Sequence, residues 1–150
     1  MAAVSTGSAG DGHQVYRRYL SAMVLHAQAG ARAVGLGATD LYALNVLELS
    51  RAMTPGELGA RTGLTSGPTT RLIDRLEAAG YVRRVADMGD RRKAMVEPIG
   101  RPADLDKVLA PARRRIGEII GEYTPEQRDV LFDYFAKAAD AFQRAAEEVD

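Results

Sequence analysis

Between Thr54 and Gly80 the chain places two helix-start signals and two helix-stop signals so close together that only two short helices joined by a tight turn satisfy them. Thr54 suits an N-cap, Pro55 the first helical position, and Glu57 closes a capping box before Gly63 ends the helix. Thr65 or Ser66 caps the next helix, where Pro68 falls in the first turn and costs little, and Gly80 ends it. At about 100° per residue, Thr69, Leu72, Ile73, Leu76 and Ala79 share one side of this second helix. Gly67, Thr70, Arg71, Asp74 and Ala78 lie roughly opposite. The pair has the proportions of a helix-turn-helix. Small polar residues at the start of the outer face, followed by an Arg, suit a helix entering a DNA major groove. The backbone approaches closely, the dipole end faces phosphate, and Arg71 reaches guanine. Taken alone, the same face also describes an ordinary surface helix.

The next segment, YVRRVADMGDRRKAMVEPI, can fold back on itself. Val82–Val85 and Ala94–Ile99 pair across a loop holding Asp87, Gly89 and Asp90. Arg83 and Arg84 lie on the first strand, and Arg91, Arg92 and Lys93 come after the loop. A basic hairpin directly after a helix-turn-helix is a wing that can lay its loop along a minor groove. Asp87 and Asp90 stand where they can hold an Arg in one rotamer, which lowers the entropy lost on insertion. The plainer alternative is a solvated charged hairpin. The charge distribution favours a polyanion at this part of the chain. The whole sequence has twenty Lys/Arg and twenty Asp/Glu, but residues 61–93 carry eight against four and residues 94–150 eight against twelve.

Longer helices flank this region. Val15, Tyr19, Ala22, His26 and Ala29 recur at helical spacing, and Thr39 caps a second helix of nearly continuous apolar residues from Leu41 to Leu49. Leu105, Leu109, Ala112, Ile116, Ile119 and Tyr123 form one further stripe. Leu131, Tyr134, Ala138, Phe142, Ala145 and Val149 form another after the box at Thr124–Gln127. One winged-helix lobe is too small to cover all these stripes, so a closed homodimer is expected, with an intramolecular bundle as the alternative. The fold class is therefore mostly α with a small β-hairpin. The winged helix spans about 39–99, dimerisation helices about 15–34 and 103–149, and one domain covers 15–150 after a flexible tail at 1–14.

The stretch TPGELGARTGLTSGPTTRLIDRLEAAGYVRRVADMGDRRKAMVEP resembles the helix-turn-helix and wing of the MarR family of bacterial transcription regulators. It includes that family's Asp-x-x-Asp-x-Arg signature as Asp87, Asp90 and Arg92, and the resemblance runs from Tyr16 to Val149. It implies a homodimer with interlocking terminal helices that binds successive major grooves of a pseudopalindromic operator, as a repressor. Arg92 matches the family's minor-groove arginine with Asp90 orienting it, while Arg91 stays open as the residue that enters or as a phosphate contact. The expected DNA-binding set is Thr65, Ser66, Gly67, Thr70, Arg71, Arg75, Asp90, Arg91 and Arg92. Pro98, Ile99 and Gly100 replace the family's usual Leu-Thr and the residues after it, and Gly67-Pro68 is a less usual helix start. Regulators of this kind often respond to a small aromatic or phenolic effector. Tyr16, Tyr19, Met23, His26 and Tyr42 could line its cleft, although such residues on apolar helix faces are more often core.

The other function classes find little support. No Cys excludes thiol catalysis, disulfides and cysteine redox sensing, and two His without ligand spacing give no case for a metal. There is no phosphate loop, no nucleophile with a base, and no placed pair of acids, so no enzyme activity and no cofactor are expected. The first residues lack a signal-peptide pattern, and His26, Gln28 and Arg32 interrupt the apolar stretch after Tyr19, so a cytoplasmic protein with no membrane partner is expected. Arg113, Arg114 and Arg115 read as a solvated or ion-paired helix face. The competing reading is a winged-helix module that binds a protein or a small ligand without specific DNA binding.

Overall fold

Capping side chains set the starts of three helices in the computed structural model, which describes residues 9–100 and 103–149. The elements in order are α1 (Ala9–Ala33), α2 (Ala38–Ser50), α3 (Pro55–Thr62), α4 (Ser66–Ala78), β1 (Val82–Ala86), β2 (Ala94–Pro98), α5 (Ala103–Gly121) and α6 (Pro125–Glu147). The mostly helical class with one antiparallel hairpin is as expected. Where the sequence suggests one domain over 15–150, the chain divides into two compact units, one ending at Val108 and one running from Leu109 to Asp150. The division falls inside α5 just before Pro111, which removes a backbone donor from the helix interior.

Two starts differ from expectation. Residues 9–14, read as tail, are the first turns of α1, where Asp11 complements the positive end of the helix dipole. The rest of that tail, residues 1–8, lies outside the described residues. In α2 the cap is Gly37 instead of Thr39, because the Asp40 carboxylate reaches back to accept the Gly37 N–H at 3.1 Å.

The α3 start agrees with the sequence closely. Thr54 Oγ1 accepts the Glu57 N–H at 3.2 Å, and Glu57 Oε2 accepts the Thr54 N–H at 2.7 Å. Such a cap stabilises a helix by about 1 kcal/mol. The Thr54 backbone N–H, followed by its hydroxyl, holds the Glu57 carboxyl below its ordinary pKa.

In the first unit the core draws Leu47 from α2, Leu58 from α3, Leu72, Ile73 and Leu76 from α4, Val82 and Val96 from the hairpin, and Leu105 from α5. Fully burying each such side chain is worth about 1.5–3 kcal/mol. Between α2 and α3, Met53 exchanges backbone hydrogen bonds with Val96 at 3.1 and 2.8 Å, adding one residue to the free edge of β2. A tight three-residue turn leads into it: the Ala52 N–H donates to the Ser50 carbonyl at 3.1 Å across Arg51, which has φ +69° and ψ −75°. These angles are those of the rare, strained γ-turn. Arg61 Nη1 donates to Ser50 Oγ at 3.1 Å beside it.

The second unit repeats the capping logic, with Thr124 and Gln127 exchanging hydrogen bonds at 2.9 and 3.2 Å at the start of α6. Its apolar stripes are uncovered within the chain: Ile116, Ile119, Tyr134, Phe142 and Val149 are all exposed. The same is true of Val15, Tyr19, Met23 and Leu25 on α1. Among the described residues no helix is long and apolar enough to cross a membrane.

Candidate nucleic-acid interface

The helix-turn-helix is locked at a glycine. A Cβ on Gly59 of α3 would stand 2.7 Å from Thr69 Oγ1 of α4 and 3.0 Å from the Leu64 carbonyl oxygen. The helices are thus as close as a bare α-carbon allows. Gly63 turns the chain at φ +67°, and the Leu64 N–H closes back on the Gly59 carbonyl at 2.9 Å. Thr69 is buried, and its hydroxyl donates to the Thr65 carbonyl at 2.8 Å. Sequence reasoning overlooked Gly59. The available signal was a glycine inside an otherwise helical segment, which costs about 1 kcal/mol and therefore needs a packing reason.

This packing leaves the start of α4 open to solvent. Thr65 is its N-cap by position without a side-chain capping bond, and Ser66, Gly67, Thr70 and Arg71 are exposed. Pro68 does not disturb the start, since the Thr69 N–H reaches the Thr65 carbonyl at an ordinary 3.0 Å. The Thr70 hydroxyl donates to the Ser66 carbonyl at 3.0 Å. Arg75, one turn beyond Arg71, is engaged with Asp40 of α2, with Nη2 donating to Oδ1 at 2.7 Å and Nε to Oδ2 at 3.4 Å. This fork holds the Arg75 guanidinium above its ordinary pKa.

In the wing, β1 and β2 pair antiparallel with Val82 opposite Pro98 and Ala86 opposite Ala94. Two of the cations assigned to the wing surface are neutralised within the fold. Arg83 pairs with its cross-strand neighbour Glu97. Arg84 reaches back to α4, donating to Asp74 at 2.6 Å and Glu77 at 2.7 Å. That hydrogen bond to Asp74, followed by the nearby Glu77 charge, outweighs the effect of burial and raises the Arg84 pKa. The loop closes through the Asp87 N–H to the Lys93 carbonyl at 2.9 Å and the Lys93 N–H to the Asp90 carbonyl at 3.0 Å. Asp90 Oδ1 accepts the Arg92 backbone N–H at 2.9 Å, so its grip is on the main chain at Arg92 instead of the guanidinium. Met88 at the tip is fully exposed. Arg91, Arg92 and Lys93 are exposed, and among the described residues none of them makes a salt bridge. The hairpin end is well formed despite its departures from the family pattern: the Ile99 N–H donates to the Tyr81 carbonyl at 3.0 Å, and Gly100 takes φ +115°.

The first unit thus brings together an open helix start at Thr65–Arg71 and a cationic loop at Arg91–Lys93, with Arg75 tied to its flank. Among the described residues no cluster of three or more His, Cys, Asp or Glu could hold a metal ion. Tyr19, Met23, His26 and Tyr42, which the sequence suggests chiefly as core, are exposed, and Tyr16 is half-buried.

A family model described as the MarR family matches residues 34–93. The uncharacterized HTH-type transcriptional regulator YcgE of Bacillus subtilis is 37% identical over 137 residues, covering 91% of this chain and 89% of the relative. Among solved structures, RV1404 from Mycobacterium tuberculosis superposes with a TM-score of 0.66 at 19% identity, over 93% of this chain and 98% of that one. A mutant of S. aureus MepR bound to an oligodeoxyribonucleotide superposes with a TM-score of 0.58 at 13% identity, over 87% and 96%. At these identities the two structures share the fold alone.

Proposed function

The chain belongs to the MarR family, and we propose that it is a transcriptional regulator that binds double-stranded DNA sequence-specifically as a homodimer. The observation that carries this reading is the pairing, within one unit, of an open recognition-helix start with a cationic wing loop whose Arg91, Arg92 and Lys93 make no salt bridge among the described residues. Thr65, Ser66, Gly67 and Thr70 bring the α4 backbone close to the groove, and Arg71 reads a base edge. Arg92 or Arg91 enters the minor groove from a loop whose path Asp90 fixes, the other binding phosphate. A DNA-bound protein of the same fold and a relative named as a regulator support the choice of partner.

The uncovered apolar faces of α1, α5 and α6 support the homodimer, since exposed stripes of this size mark association surfaces. Two lobes related by a dyad read half-sites about 34–36 Å apart on a pseudopalindromic operator in the cytoplasm. In this reading the bound dimer represses, and a small aromatic or phenolic ligand held near Tyr19, Met23 and Tyr42 releases it.

A mobility shift against duplex from the protein's own upstream region, at two salt concentrations and with nonspecific competitor, tests the reading. Saturable binding that survives competitor and weakens with salt is expected. Arg92→Ala weakens binding to all sequences and flattens the salt dependence, while Arg71→Ala mainly relaxes base preference. No binding even to bulk DNA at low salt overturns the reading in favour of a protein-interaction module.

A further inference from the structure

Two arginines contact carboxylates on or beside α4, and their exposures are reversed. Arg84 is the less exposed partner, engaged by Asp74 and Glu77, which lie nearer the surface. In the Arg75–Asp40 pair the carboxylate is buried, its side chain 6% exposed, while the guanidinium is 56% exposed. Asp40 accepts the Gly37 N–H and both Nε and Nη2 of Arg75. One edge of the guanidinium is thereby fixed, and among the described residues Nη1 has no acceptor. A buried carboxylate is stable only with good partners, and here the partner is a side chain that stays in solvent.

We propose that Asp40 is a positioning residue that holds Arg75 as a preset phosphate clamp beside the groove contacts of Arg71. The inference rests on the DNA-binding reading above. On α4, Arg75 lies one turn after Arg71 and sits between the buried stripe of Leu72 and Leu76 and the outward face. A guanidinium presents its donors in a rigid fork, so fixing one edge on a buried anchor sets the direction of the other. Contact with a phosphate then loses less side-chain entropy. Asp40 itself does not touch DNA. Phosphate contact carries no base information, so the clamp raises affinity for every duplex alike.

The experiment is fluorescence anisotropy of the full-length protein with a labelled upstream duplex across a salt series, alongside thermal unfolding. The variants are Asp40→Asn, Arg75→Ala, Arg75→Lys and the double Asp40→Asn/Arg75→Ala. Charge counting alone predicts that Asp40→Asn, which removes a negative charge, binds more tightly. Positioning predicts the opposite, a loss of roughly 3- to 10-fold from the entropy of an unfixed side chain. Arg75→Ala lowers the salt slope by about 0.9. In the Arg75→Ala background Asp40→Asn causes no further loss. Arg75→Lys keeps the charge without the fork and binds more weakly than the parent, which keeps the test decisive if Asp40→Asn does not fold. Binding by Asp40→Asn equal to or tighter than the parent overturns the proposal, as does an equal loss in the Arg75→Ala background or parent-like binding by Arg75→Lys. A parent that binds no duplex at any salt overturns the DNA-binding reading itself.

Discussion

Gly59 and Thr69 meet where α3 crosses α4, and a Cβ on the first would stand 2.7 Å from the hydroxyl of the second. Gly59→Ala gains about 1 kcal/mol of helix propensity but forces the helices apart, for a net loss of about 1–2 kcal/mol in urea unfolding. Adding Thr69→Ala removes one obstacle and leaves the Leu64 carbonyl at 3.0 Å, so the double variant regains only part of the loss. A cycle coupling below about 0.5 kcal/mol counts against this contact as the cause.

Arg84 offsets two carboxylates of α4. Arg84→Met costs less than about 1 kcal/mol of stability, since its partners are well exposed. DNA binding weakens more visibly because Asp74 and Glu77 then repel phosphate, and the deficit shrinks as salt rises. Asp74→Asn and Glu77→Gln added to Arg84→Met restore affinity. If they do not, the ion pairs act through wing placement instead of charge.

The Glu57 carboxyl lies below its ordinary value of 4.5 in the folded chain, mainly through the Thr54 N–H. A lowered folded pKa means that the stabilisation is full above the unfolded value and disappears as pH falls through the folded one. Glu57→Gln keeps a capping side chain but does not titrate. The melting temperature of the parent exceeds that of the variant at neutral pH, and the difference begins to shrink as the pH drops below about 4.5 and vanishes only once the pH is below the lowered folded value. A difference independent of pH excludes the carboxylate as its source.

Arg51 occupies φ +69° without being glycine, alone in this among the described residues. Arg51→Gly relieves the strain at the γ-turn and raises stability by about 1 kcal/mol, net of the extra chain entropy of glycine. The urea midpoint of the variant measures it. A decrease shows that the arginine side chain contributes more than its backbone costs.

Local chemistry made much of this architecture legible. The boxes at Thr54 and Thr124, the stops at Gly63 and Gly80 and the buried stripe of α4 all depend on residues a few positions apart, so sequence order reveals them. Contacts between distant residues were hidden. Nothing near Asp40 announces that its carboxylate meets Arg75, and nothing near Met53 announces its pairing with Val96. Arg83 and Arg84 count in the sequence simply as part of a basic wing, because Glu97 and Glu77 become their neighbours only after the hairpin and α4 have packed. Asp90 lies in between: the sequence placed it beside Arg92, but only the structure shows that it accepts from the backbone.

The wing loop keeps its shape through main-chain hydrogen bonds and the carboxylate of Asp90, and among the described residues the side chains of Met88, Arg91 and Arg92 make no hydrogen bond or ion pair. Those three positions are therefore nearly independent of folding. Substitutions can accumulate there without destabilising the lobe, so the loop tip can diverge while the scaffold is inherited unchanged. Changes at the loop tip thus proceed without the compensating core mutations that remodelling the α3–α4 crossing at Gly59 would demand.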